Sequence, residues 1–151
     1  MKLNLGAGTI PEDGWVNVDL LDLPGINVVH NLSLYPWPFE DGSASEIKAL
    51  DILEHLPNYT KDDRPGVVAF ITECWRILEH HGKLFIQTPG WNAAFLWEDP
   101  THVRGFAPTS MDFFDPDKPY GQTTGFYSPA KFYVSVVELA NHNLQFTMVK
   151  R

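Results

Sequence analysis

The chain has 151 residues, 44% of them apolar, which suits a single domain over 1–151 with a substantial core. A formal net charge of −8 and a pI near 5.0 set it apart from nucleic-acid binders, which present a basic face to phosphate. No stretch approaches the roughly 18 apolar residues of a membrane span, the start lacks a signal peptide's apolar core, and the single cysteine excludes an internal disulfide, so a cytoplasmic protein with no membrane partner is expected.

In chain order the pattern predicts strands at Lys2–Leu5, Trp15–Asp19, Asn27–Asn31 and Glu46–Leu50, separated by connections bearing Gly, Pro and Asp. The first strand stops at Gly6 and Gly8, a tight turn where missing β-carbons let a ligand press against the backbone. The second closes on Asp19, whose carboxylate is placed to accept hydrogen bonds from a ribose diol. A nicotinamide-dinucleotide site is not built, because Pro11 stands where that fingerprint needs its third glycine. Its acidic residue would also lie about 20 positions on, whereas Asp19 lies 11 past Gly8.

Only seven residues, Leu20 to Ile26, join the second strand to the third, and the prolines of Tyr35-Pro-Trp-Pro-Phe forbid a regular helix before the fourth. One sheet face there is left to aromatic side chains or to a partner chain. A helix is predicted from Asp62 to His80, with Asp62 and Asp63 as cap and first-turn acids, Pro65 early and Gly82 as the stop. Its apolar stripe is Val67, Phe70, Ile71, Cys74, Ile77 and Leu78, on which Cys74 reads as structural. His80 and His81 read as cations at the negative end of that helix. Lys83–Gln87 is the next strand, Thr88-Pro89-Gly90 opens an irregular stretch, and Phe132–Glu138 with Leu144–Lys150 reads as a closing hairpin.

No metal is expected from these patterns. The six histidines show no His-Glu-x-x-His spacing, and one cysteine cannot build a zinc cluster. Asp112, Asp115 and Asp117 are followed by Pro119 at the next ligand position of an ion loop, so they read as a solvated acidic turn.

Taken together and in order, LNLGAG at 3–8, WVNVDL at 15–20, VVHNLS at 28–33, PWPFEDGSASEIKALDILEHL at 36–56, ECWRILEHHGKLFIQTPG at 73–90 and DPTHVRGF at 99–106 carry a resemblance. The chain resembles class I S-adenosylmethionine-dependent methyltransferases, in the small-molecule, type 11-like branch. The resemblance implies an α/β fold: a three-layer Rossmann-like methyltransferase sheet, mostly parallel, with a C-terminal antiparallel hairpin and abbreviated early crossover helices. It implies S-adenosylmethionine as cofactor and methyl transfer to a small-molecule acceptor.

Carried over position by position, Leu5, Gly6, Ala7 and Gly8 would pass under the methionine and ribose portions, Asp19 would hold the ribose hydroxyls, and Leu20 would pack on adenine. Asn31 and Leu32 stand where the family usually has Asp-Leu, meeting the adenine amino group and ring nitrogen; Asn31 also reads as a turn former. Asp51 and Ile52 would touch the methionine end. Glu54 and His55 reproduce a Glu-His pair of this branch, either anchoring a turn or acting in catalysis.

For the chemistry itself, His102 is a candidate base, histidine being the side chain that most readily exchanges a proton at physiological pH, and Arg104 is a candidate clamp on an acceptor carboxylate or phosphate. The other reading has Asp99, His102 and Arg104 tying the loop to the core. Trp91, Phe95, Trp97, Phe113, Phe114 and Phe126 read as core or as the lining of an acceptor pocket. Related enzymes carry a helix before the first strand, and here Met1 stands at the strand, so a more open cofactor site is expected, or one completed by another subunit in a homodimer. The alternative function is a methyltransferase-like binding or assembly protein without turnover, motivated by Asn31, the absent helix and the short crossovers.

Overall fold

Short apolar runs punctuated by turn residues fold as the alternation predicts. The computed structural model describes residues 1–124 and 126–151, and these form a seven-stranded sheet. Its strands are β1 (Lys2–Leu5), β2 (Val16–Asp19), β3 (Val28–Val29), β4 (Ala44–Leu50), β5 (Leu78–Pro89), β6 (Phe132–Glu138) and β7 (Asn143–Lys150). Helix α1 (Gly66–Ile77) crosses from β4 to β5, and the short α2 (Pro119–Thr124) precedes the final hairpin.

The order across the sheet is β3-β2-β1-β4-β5-β7-β6. Strands β1 to β5 are parallel, and β7 inserts antiparallel between β5 and β6. This is the mostly parallel, Rossmann-like methyltransferase sheet with an antiparallel ending. The chain leaves β1 toward β2 on one side and returns to β4 on the other, so the strand order reverses beside β1. That reversal opens a crevice at the carboxyl ends of the strands, the general ligand position in such sheets.

Among the described residues the first three crossovers carry no α-helix. Aromatic side chains do the covering there: Trp37 is 2% exposed, packs edge-on against Phe70 with ring centroids 5.1 Å apart, and donates its indole N–H to the Leu32 carbonyl. The proline-bearing segment is pinned to α1 by Glu73, whose Oε1 accepts the Trp37 amide at 2.7 Å and an Arg76 N–H at 2.6 Å. Arg76 also donates to the Phe39 and Trp37 carbonyls and to Asp41.

Helix α1 starts four residues later than expected, and neither Asp62 nor Asp63 caps it. Thr60 and Arg64 close a turn on each other, Thr60 N–H to the Arg64 carbonyl and Arg64 N–H to Thr60 Oγ1, which leaves both acids outside the helix and Asp63 at φ 60°. At the other end Leu78 already belongs to β5, so His80 and His81 lie in a strand and do not serve the helix dipole. The cation at that end is Lys150 of β7, whose Nζ donates to the Trp75 and Leu78 carbonyls, both at 2.6 Å.

The buried face of α1, including Phe70, Ile71, Cys74 and Ile77, meets a sheet core of Leu3, Leu5, Ile47, Leu84, Ile86 and Phe146. Burial pushes the Cys74 thiol well up, as expected of a structural cysteine. Asp115 departs from the expected solvated acidic turn: it is 4% exposed, and its carboxylate accepts the amides of Asp117 and Val134. No helix among the described residues is long and apolar enough to cross a membrane.

Candidate active site

The glycine turn after β1 is built by close approach. Gly6 has φ +66°, and a Cβ placed on it would lie 1.9 Å from Ile52 Cδ1, so the side chain after β4 occupies the space a larger residue would need. Gly8, at φ +52°, donates its amide to Asp19 Oδ2 at 2.8 Å, while Asp19 Oδ1 accepts the Leu21 amide at 3.0 Å. One carboxylate thus ties the turn after β1 to the turn after β2.

Beneath the turn lies a polar pair sequence reasoning missed. Asn4 of β1 and Asn17 of β2 are each 4% exposed, and Asn4 Nδ2 donates to Asn17 Oδ1 at 2.8 Å. The same Asn17 oxygen accepts the Glu12 amide at 2.9 Å, and Asn17 Nδ2 donates back to the Glu12 carbonyl at 3.1 Å. The signal was available: asparagine is depleted from strand interiors, and two of them at paired strand positions 4 and 17 need a reason.

Two cavities meet at Gly6. The first, about 220 Å³, is walled by Gly6, Asp19, Leu20, Asn31, Leu32 and Ile52, all named by the sequence, and by His30, Ser33, His55 and Leu56. The second, about 390 Å³, is walled by Gly6, Ala7 and Asp51 together with Asn4, Glu12 and Lys48. Lys48 and Glu12 form an ion pair there. Leu5 is fully buried in the core, and neither it nor Gly8 lines either cavity.

Asn31 spends Oδ1 on the Ser33 amide at 2.9 Å, the turn-forming role of its two readings, with a second lone pair still open. Asp51 holds φ 53° at the end of β4, anchored by its amide to the Gln87 carbonyl. Burial raises its pKa, and the Gln87 side chain works against that rise.

Next to the first cavity the loop after β5 folds back on the segment after β4. The Val103 amide donates to the Glu54 carbonyl at 2.9 Å, and Arg104 donates to the Leu56 carbonyl and to Asn58 Oδ1, both at 3.0 Å. Arg104 thus ties the loop to the segment after β4, and it lines neither cavity. The same fold-back brings His102 against His55, with ring centroids 4.6 Å apart. Glu54 is fully buried beside them, and burial pushes its carboxyl up to about 7.

The aromatic residues expected to share a core or a pocket separate. Phe114 is buried and Phe113 packs on the core, whereas Trp91, Trp97 and Phe126 are 60%, 70% and 76% exposed. None of the six lines either cavity at Gly6.

No protein-family model matches the sequence, and no curated protein matches it. Solved structures do. The chain is similar over 99% of its length, and 85% of the other chain, to an S-adenosylmethionine-dependent methyltransferase from Archaeoglobus fulgidus, at TM-score 0.68 and 13% identity. A methyltransferase from Methanosarcina mazei aligns over 99% of this chain and 91% of its own, at TM-score 0.59 and 16% identity. The 1,6-didemethyltoxoflavin-N1-methyltransferase of Burkholderia thailandensis, solved with bound 1,6-didemethyltoxoflavin and S-adenosylhomocysteine, aligns over 99% of this chain and 70% of its own, at TM-score 0.61 and 14% identity. The chain therefore has the class I methyltransferase fold.

Proposed function

We propose that this protein is an S-adenosylmethionine-dependent methyltransferase acting on a small-molecule acceptor. The observation that carries the reading is the Asp19 carboxylate, held by the Gly8 and Leu21 amides in the wall of a cavity at the carboxyl ends of β1 and β2. A carboxylate there can also accept both hydroxyls of a ribose, having about four lone-pair sites for two protein donors.

The residues fit the rest of the cofactor. Leu20 and Leu32 offer apolar surface to a purine on the walls of the first cavity, and Asn31 retains a lone pair for an exocyclic amino group. The second cavity presents Lys48, Glu12 and Asp51, both signs of charge, which suits the zwitterionic end of an amino acid. Bound there, S-adenosylmethionine supplies a sulfonium methyl group that is already electrophilic. What the chain adds is position: in-line placement of an acceptor lone pair is where orientation lowers the barrier most. A proton leaving the acceptor needs a base only if it departs early; the candidates are His55 in the wall of the first cavity and His102 and Glu54 packed beside it.

The test is calorimetric titration with S-adenosylhomocysteine, followed by incubation with S-adenosylmethionine and a panel of small hydroxyl- and amine-bearing acceptors. Saturable binding that Asp19→Ala weakens, with S-adenosylhomocysteine produced, supports the reading. Absence of binding removes it.

A further inference from the structure

Three side chains beside the first cavity have the makings of a metal centre. One donor atom each from Glu54, His55 and His102 lies within 4.8 Å of the others. Glu54 is fully buried, and its Oε1 has no hydrogen-bond partner although no water reaches it. A buried, unpartnered carboxylate oxygen is costly and calls for a ligand.

The far side of each residue is already held. Glu54 Oε2 accepts the Thr88 hydroxyl at 3.0 Å. His102 Nδ1 sits 2.7 Å from the Leu96 carbonyl, which only accepts, so Nδ1 carries the proton and the neutral ring keeps a lone pair on Nε2. The nearest carboxylate oxygen to that nitrogen, Asp99 Oδ2, is 3.7 Å away and too far for a hydrogen bond. Thr101 gives its single hydroxyl proton to Asp99 at 2.6 Å, so its oxygen accepts from His55 Nδ1 at 3.0 Å and leaves Nε2 of His55 with a lone pair as well. Ring nitrogens fixed by a carbonyl on one side and by a hydroxyl backed by a carboxylate on the other are how imidazoles are oriented toward metals.

We infer that Glu54, His55 and His102 form a binding site for one divalent transition-metal ion, with coordination positions left open toward the first cavity. Two imidazoles and one carboxylate suit zinc or iron(II) far better than calcium or magnesium. Taken with the proposed methyl transfer, on which this last step rests, the ion would hold an acceptor through its oxygen or nitrogen.

The full chain, stripped with EDTA, is titrated calorimetrically with Zn²⁺ alone. One equivalent is expected to bind, with affinity falling at least about 100-fold in the His55→Gln/His102→Gln double variant and about 10–100-fold in Thr101→Val, which touches no metal. Glu54→Gln, close in shape and uncharged, serves as the independent variant and should also weaken binding. Absence of uptake by the wild-type chain, or unchanged affinity in the double variant, overturns the inference. Titration with S-adenosylhomocysteine on the same samples is read separately: loss of that binding alone removes the methyltransferase reading and leaves the metal site standing, and loss of zinc binding alone does the reverse.

Discussion

Gly8 and Asp19, eleven residues apart, are joined by a single amide-to-carboxylate hydrogen bond of 2.8 Å that closes the corner between β1 and β2. Asp19→Ala leaves the Gly8 amide without its charged acceptor. A hydrogen bond to a charged group is worth about 1.5–3 kcal/mol, so urea unfolding should show a loss of about 2 kcal/mol. The same change removes the proposed ribose acceptor, and S-adenosylhomocysteine should bind at least about 10-fold more weakly. Asp19→Asn keeps one of the two acceptor oxygens and sets its NH₂ against the other amide, so it should recover only part of the stability and little of the affinity.

Gly6 and Ile52 test whether the turn is shaped by contact or by backbone conformation. Gly6→Ala meets Ile52 Cδ1 at 1.9 Å and also sits at φ +66°. Left-handed geometry alone costs about 1–2 kcal/mol, and overpacking adds about 1–3 kcal/mol. In the double variant Gly6→Ala/Ile52→Ala the overpacking part should disappear and the conformational part remain. A double-mutant cycle by chemical denaturation separates the two, and simple additivity would show that the contact does not set the cost.

Much of this was legible in the chain because the informative residues are contiguous. β1 matches its expected bounds of Lys2–Leu5, β6 matches Phe132–Glu138, and the first cavity is walled by residues within three positions of a strand's carboxyl end: Gly6, Leu20, Asn31, Leu32 and Ile52. The helix start was misread because Asp62 and Asp63 look like a cap, while the Thr60–Arg64 turn that displaces them is a tertiary choice of the backbone. His80 and His81 were misread because nothing local announces that Leu78 passes directly from helix to strand. The Glu54, His55 and His102 cluster was invisible as spacing. It exists because the Val103 amide docks on the Glu54 carbonyl beyond the carboxyl ends of β4 and β5, a contact between segments nearly 50 positions apart.

Asn17 should matter more than its place in a short strand suggests. Replacing it with Ala strands Asn4 Nδ2, the Glu12 amide and the Glu12 carbonyl at once, in a place where Asn4 and Asn17 are almost fully buried. At about 1–3 kcal/mol for an unsatisfied buried group, with water reaching the Glu12 side, a loss of about 3 kcal/mol is expected by urea denaturation. Because Glu12 lines the second cavity, S-adenosylhomocysteine affinity should fall as well. Unaltered stability would mean the two asparagines are bystanders.

Glu73 and Asp41 both bind Arg76, and their contrast shows where that ion pair acts. Glu73 has a side chain 10% exposed and also receives the Trp37 amide, whereas the Asp41 side chain is 80% exposed. Removing one partner of a buried pair costs about 3–5 kcal/mol; Arg76 keeps a quarter of its side chain in water and two carbonyl acceptors, so Glu73→Ala should cost about 3 kcal/mol. Exposed pairs contribute about 0–1 kcal/mol, so Asp41→Ala should lie in that range. The Glu73 variant should also loosen residues 36–41, which Trp37 anchors to the Leu32 carbonyl at the wall of the first cavity. Amide hydrogen exchange is the measurement: faster exchange at Trp37 and Phe39 in Glu73→Ala but not in Asp41→Ala is the expected pattern, and equal protection in both would show that the proline segment is held by its apolar packing alone.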